Sequence, residues 1–97
     1  MSPEDLQAML ARQAERCAIC RRHWKECGSL NRSRYEAAFL HYLCVDHDHA
    51  TGKVRGLLCN GCYTAIGMFE EDQARFRAAA EYLALHASAP KAAMAPV

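Results

Sequence analysis

Two Cys-x-x-Cys pairs lie on either side of a run of alternating aspartates and histidines, and both features use residue types that bind metals. The pairs and the run are Cys17-Cys20, Cys59-Cys62 and Asp46-His47-Asp48-His49. Four thiolates at this spacing can hold one tetrahedral zinc ion and leave no position open for water, which makes such a zinc structural. We therefore predict a structural zinc site, with any chemistry located elsewhere. The alternative is a set of disulfides or unrelated thiols.

The Asp-His-Asp-His run has the residue types that hydrolyse a phosphodiester. A carboxylate suits Mg²⁺ or Mn²⁺, and a neutral imidazole can take a proton from water near pH 7. Alternation along a strand predicts that the two aspartates share one face and the two histidines the other. A histidine base beside a carboxylate-bound cation is a workable hydrolytic site. The alternative is a polar turn whose side chains bond to their own backbone.

Length and cysteine content indicate a small intracellular domain. The chain has 97 residues and six cysteines, so we expect one domain over residues 1–87 and a disordered tail over residues 88–97. The N-terminus lacks a signal-peptide pattern, and no apolar stretch approaches the roughly 20 residues that span a bilayer. We expect a cytoplasmic protein, where thiols stay reduced and a Cys-x-x-Cys pair favours metal over a disulfide.

Local signals predict helices around a β-hairpin. Ser2, Pro3 and Asp5 form a capping box that opens a helix expected to run to about Arg16. The segments 41–47 and 54–58 predict two strands joined by a turn at residues 50–53. The second Cys-x-x-Cys pair opens a helix that runs through Met68. The fold class is therefore α+β, a hairpin and helices held around zinc.

A final helix is predicted to begin near Asp72 and to carry an apolar stripe. The stripe consists of Phe76, Ala79, Ala80 and Leu83. These residues have the spacing of an ordinary core face and could equally form an interface between two chains.

The charge distribution suits a polyanion, although the net charge of +1 predicts no partner. Six basic residues and one acid lie between Arg16 and Arg34. The alternative is a solvated basic loop. Nearby aromatic residues could stack on exposed bases or pack the small domain, and they are Trp24, Tyr35, Phe39 and Tyr42.

The segment VDHDHATGKVRGLLCNGC, preceded by CAIC, resembles the phage recombination endonuclease VII family of His-Me finger (ββα-metal, HNH-like) nucleases. The resemblance covers residues from Cys17 to Leu83. It implies a hairpin followed by a helix and joined to a four-cysteine zinc site. It also implies cleavage of branched or distorted DNA, including Holliday junctions, usually by a dimer. If a phage encodes the chain, the expected location of the protein is the cytoplasm of the host cell.

The resemblance also implies roles for individual residues. Asp46 would bind the catalytic Mg²⁺ or Mn²⁺, His47 would be the general base, and His49 would assist at the scissile phosphate. Arg55 would contact the DNA backbone, and further expected DNA contacts are Lys53, Arg21 and Arg22. A homodimer would form through the N- and C-terminal helices.

One position departs from the family pattern. The family has an asparagine directly after the last cysteine, where it supplies the second protein ligand to the catalytic cation, and this chain has Tyr63. A neutral phenol is a poor ligand for a hard cation. Either Asp46 suffices with help from DNA phosphate, or Tyr63 fills the cavity and the protein binds DNA without cutting it. We favour the enzyme; a zinc-stabilised interaction domain with no nucleic-acid role is a third reading.

Overall fold

The computed structural model of the protein describes residues 1–30 and 36–87. Within them it contains three α-helices and a two-stranded antiparallel sheet, which confirms the α+β class. The elements are α1 (Pro3–Arg12), β1 (Leu43–His47), β2 (Val54–Cys59), α2 (Asn60–Met68) and α3 (Gln73–His86), with short 3-10 helices at Trp24–Glu26 and Ala38–His41. None of these helices is long and apolar enough to cross a membrane.

The chain divides into two compact units, and the boundary between Ala65 and Ile66 falls within α2. The single domain expected over residues 1–87 stays a prediction, and the expected tail lies outside the described residues. The first unit contains α1, the hairpin and all six cysteines. Its fully buried side chains are Leu10, Leu43, Leu57 and Cys17. The first unit therefore carries the core around which both chemical motifs are placed.

Helix α1 begins as predicted and ends earlier. The Asp5 amide donates to Ser2 Oγ and the Ser2 amide donates to Asp5 Oδ2, both at 3.1 Å. The helix stops at Arg12 instead of Arg16, because the next residues turn the chain back. The backbone of Ala14 and Glu15 adopts positive φ values of 55° and 61°. This reversal, and not a helix, leads the chain to the first cysteine pair.

The hairpin forms where the sequence predicts it, with different ends. β1 begins at Leu43 instead of His41, because His41 closes a 3-10 helix and its carbonyl accepts a bond from the Leu30 amide at 2.7 Å. β2 extends to Cys59. Between the strands, Gly52 takes the positive φ of 76° that the predicted turn requires. The structure therefore confirms the hairpin.

Candidate metal centre and hairpin site

The four predicted zinc ligands converge in the structure. The sulfur atoms of Cys17, Cys20, Cys59 and Cys62 all lie within 4.8 Å of one another. The Cys20 and Cys59 sulfurs are 3.8 Å apart. A zinc ion bonded to sulfur at about 2.3 Å requires tetrahedral sulfur–sulfur edges of about 3.8 Å. The donor set and its dimensions therefore fit one four-coordinate zinc.

A tight backbone turn presents the first cysteine pair. The Cys17 amide donates to the Arg22 carbonyl at 2.9 Å, and the Arg21 amide donates to the Cys17 carbonyl at 3.1 Å. Arg21 adopts a positive φ of 67° to close this turn. The second pair spans the end of β2 and the first turn of α2, where the Cys62 amide points at the Cys59 sulfur at 3.5 Å. Both pairs are thus preformed for one ion.

The thiol electrostatics favour metal binding. Burial raises the pKa of Cys17, but backbone amides of Cys59, Cys20 and Ile19 outweigh burial and hold this pKa at about 6. Burial and the neighbouring sulfurs of Cys59 and Cys17 raise the pKa of Cys62. The lowered pKa favours the thiolate form of Cys17, and the thiolate is the form of cysteine that binds zinc.

The two remaining cysteines are buried or half-buried thiols. Cys44 lies in β1 and is 2% exposed. Cys27 is half-buried, and burial followed by the charge of the neighbouring cluster thiolates raises its pKa to about 11. Neither belongs to the four-sulfur cluster.

Gln13 connects the turn of the first cysteine pair to the hairpin, a contact that no local sequence pattern predicts. Its Oε1 accepts the Leu57 amide and its Nε2 donates to the Leu57 carbonyl, both at 2.9 Å. The same Nε2 donates to the Arg16 carbonyl at 2.8 Å. The side chain thereby acts like a further strand at the edge of β2. A Cβ on Gly56 would lie 3.2 Å from Gln13 Oε1, so the glycine makes room for this contact.

A β-bulge joins Asp46 to Arg55. Asp46 pairs with Gly56 and His47 pairs with Val54, which leaves Arg55 as an extra residue on β2. A bulge changes the direction of a side chain that regular alternation would send to the opposite face. Arg55 Nε donates to Asp46 Oδ2 at 2.7 Å and Arg55 Nη2 donates to Oδ1 at 3.0 Å. The predicted metal ligand is therefore held by a bidentate guanidinium.

The other members of the Asp-His-Asp-His run occupy different structural positions. β1 ends at His47, so strand alternation does not govern Asp48 and His49 as expected; both lie in the turn. Asp48 Oδ1 accepts the Ala50 and Thr51 amides at 2.8 and 3.1 Å, and these bonds lower its pKa. His47 and His49 are exposed. The polar-turn alternative thus holds for Asp48, while Asp46 is buried.

The remaining predicted site residues lie at the surface. Arg21, Arg22 and Lys53 are exposed, as cations that contact a DNA backbone must be. Tyr63 is the fourth residue of α2 and is 40% exposed. A side chain with this exposure is not buried in a core, so the ring does not fill a closed cavity. Its substitution by a smaller residue therefore leaves no internal void.

The aromatic residues of the first unit pack against one another. The rings of Trp24 and Tyr42 lie 5.4 Å apart, and Phe39 is 5% exposed. Trp24 also donates from Nε1 to Glu15 Oε1 at 3.2 Å. These contacts favour the packing role over base stacking; Tyr35 lies outside the described residues.

A family model described as recombination endonuclease VII matches residues 1–85, which include both cysteine pairs and the whole hairpin. The chain belongs to the recombination endonuclease VII family. Neither the curated proteins nor the solved structures contain a match to it. Membership in this nuclease family implies that DNA is the substrate.

Proposed function

We propose that the protein is a metal-dependent endonuclease that cleaves branched or distorted DNA, including Holliday junctions. The observation that carries the proposal is the end of β1, where the buried Asp46 carboxylate is followed by the exposed His47 imidazole. β2 lies beside them and ends in the zinc ligand Cys59. The metal-ligand and base residue types thus occupy adjacent positions on a hairpin braced by the zinc frame.

Each residue of the proposed site has one role. Asp46 would hold the catalytic Mg²⁺ or Mn²⁺, at the position of a buried carboxylate. When bound, this cation would stabilise charge on the scissile phosphate and the leaving oxygen. His47 takes a proton from the attacking water, and His49 assists at the phosphate. Cleavage leaves 5′-phosphate and 3′-hydroxyl ends.

DNA binding is proposed for the exposed basic residues. Arg21 and Arg22 lie in the turn of the first cysteine pair, and Lys53 and Arg55 lie on the hairpin. Phosphate contacts of this kind give affinity that falls steeply with salt. A protein dimerised through α1 and α3 would present two such surfaces, one for each of the two strands that are cut at a junction.

The experiment compares the protein with His47→Ala on a labelled four-way junction and a matched linear duplex, with Mg²⁺ or Mn²⁺. We expect the parent to cut the junction, and His47→Ala to reduce the rate by about a hundredfold or more, the usual contribution of a positioned base. Zinc content and DNA affinity should be unchanged, because His47 is exposed and outside the sulfur cluster. Equal cleavage by both proteins would remove His47 from the mechanism.

A second candidate function is a zinc module that binds DNA without cutting it. Two observations favour it: Tyr63 occupies the position of the family's second cation ligand, and Arg55 engages both oxygens of Asp46. In the same experiment this function gives junction binding that weakens with salt and no cleavage by the parent protein. Absence of DNA binding at low salt would instead support an interaction domain with no nucleic-acid role.

A further inference from the structure

Both oxygens of the Asp46 carboxylate accept hydrogen bonds from Arg55 in the structure. The donors are two different nitrogens of Arg55, at 2.7 and 3.0 Å. The Asp46 side chain is 9% exposed, so water competes little for these bonds. Fork-shaped pairs of this kind are among the stronger charge-assisted hydrogen bonds. A divalent cation that binds Asp46 while the guanidinium stays in place is repelled by a neighbouring positive charge, so Arg55 lowers the affinity of this carboxylate for cations.

The pairing is a product of the fold. The bulge inserts Arg55 between the paired positions of Gly56 and Val54, which brings its side chain towards Asp46. Gly56 is itself fixed beside Gln13, since a Cβ there would lie 3.2 Å from Gln13 Oε1. The backbone on which Arg55 stands is therefore set by contacts that do not involve the Asp46 carboxylate.

The Arg55 guanidinium is also within reach of a ligand from solvent. Its side chain is 36% exposed, against 9% for its partner. Phosphate is the other group that a guanidinium binds with two parallel hydrogen bonds. A phosphodiester that approaches the hairpin therefore competes with Asp46 for the same donors.

We propose that Arg55 is a positioning residue that lowers the affinity of Asp46 for divalent cations in the free protein and raises it again when a DNA phosphate takes the guanidinium. This inference rests on the proposed function, in which Asp46 holds the catalytic cation. Its consequence is linked binding, because a ligand that favours one state raises the affinity of any other ligand for that state by the same factor. DNA should raise cation affinity by about tenfold, within the usual range of such couplings.

The test measures Mn²⁺ binding to zinc-loaded protein by the paramagnetic resonance of free Mn²⁺, with and without a four-way junction. All proteins carry His47→Ala so that the DNA stays intact, and binding to DNA alone is subtracted. We compare Arg55→Gln with Arg12→Gln, which removes an exposed arginine from α1. Asp46→Asn defines the background, because it removes the carboxylate.

The parent should bind Mn²⁺ about tenfold more tightly with DNA than without it. Arg55→Gln should bind Mn²⁺ in the absence of DNA as tightly as the parent does in its presence. Arg12→Gln should keep the parent's ratio of Mn²⁺ affinities with and without DNA. If Arg55→Gln does not retain one zinc per chain, Arg55→Lys is tested in its place. The lysine ammonium cannot form the two parallel hydrogen bonds of the guanidinium, so this variant should raise the Mn²⁺ affinity of the free protein by a smaller factor.

Equal Mn²⁺ affinity in the parent with and without DNA would overturn the inference, and so would an unchanged affinity in the folded Arg55 variant. The proposed function fails separately. If the protein with His47 intact does not cut DNA but DNA still raises its Mn²⁺ affinity, the role of Arg55 stands and the nuclease function is wrong. If the protein cuts DNA but DNA does not raise its Mn²⁺ affinity, the nuclease function stands and the role of Arg55 is wrong.

Discussion

Tyr63 is the residue that best distinguishes the two candidate functions, cleavage of DNA and binding of DNA without cleavage. It stands on α2 directly after Cys62 of the four-sulfur cluster and is 40% exposed. An amide oxygen is a better ligand for a hard cation than a neutral phenol. Because the ring is not buried in the core, replacing it should cost little stability. The position therefore allows a substitution that changes cation binding without disturbing the fold.

We predict that Tyr63→Asn lowers the Mg²⁺ concentration at half-maximal cleavage by about tenfold, the size of effect that groups supporting a metal site have. The measurement is the rate of junction cleavage against Mg²⁺ concentration. Tyr82→Asn is the matched control, since Tyr82 is a tyrosine on α3 that is 64% exposed. If the parent binds DNA without cutting and only Tyr63→Asn cuts, the non-cleaving function is correct. An identical Mg²⁺ dependence would show that this position does not contribute to the cation site.

Asp46 and Asp48 show what the sequence could and could not predict at the residue scale. The two carboxylates are two positions apart, yet one pairs with Arg55 and the other caps a turn. Hydrogen bonds from the Ala50 and Thr51 backbone amides hold the pKa of the Asp48 carboxyl below 3.8. Its contribution to stability is therefore present above pH 3.8 and is lost as the pH falls through the lower folded value. The sequence predicts the residue types of the site, but the turn and bulge assign their roles.

At the scale of elements, predictions succeed where the signal is local. The capping box of α1 and the positive φ of Gly52 depend on residues within one turn of the chain, and the structure confirms both. The predicted end of α1 was wrong, because the chain reverses at Ala14 and Glu15, directly after Gln13, whose partner Leu57 is 44 residues away. The bulge at Arg55 was missed because it depends on how the two strands pair. Long-range pairing carries no local sequence pattern.

Gln13 should therefore contribute more to stability than its polar character suggests. We predict that Gln13→Ala lowers the free energy of unfolding by about 1–3 kcal/mol, because the Leu57 amide loses its side-chain partner at a part-buried edge and the Leu57 carbonyl keeps only the Ala18 amide. Urea unfolding of the zinc-loaded protein, followed by circular dichroism, measures the change. Gln7→Ala on the exposed side of α1 is the control and should change it by less than about 0.5 kcal/mol. Equal effects would mean that the Gln13 bonds do not brace β2.

At the scale of the whole molecule, the first unit carries the cysteine cluster and the hairpin, and α3 belongs to the second unit. In the described part of the chain, none of the residues of helix α3 is buried. Leu83, on the predicted apolar stripe, is 67% exposed, and the rings of Phe69 and Phe76 are 4.9 Å apart. An amphipathic helix keeps an apolar face when that face has a partner to pack against. A second copy of the chain is the partner that the proposed dimer supplies.

We predict that native mass spectrometry finds two chains with two zinc ions, one per chain, and that Leu83→Glu yields one chain with one zinc. A carboxylate in the apolar seam would be desolvated without a partner, so the dimer dissociates. The zinc site lies in the first unit and should stay loaded, which separates dissociation from unfolding. Leu85→Glu is the matched control, because Leu85 is 79% exposed and lies off the stripe. A parent protein with the mass of one chain would exclude the dimer, and equal effects of both substitutions would exclude the stripe as its seam.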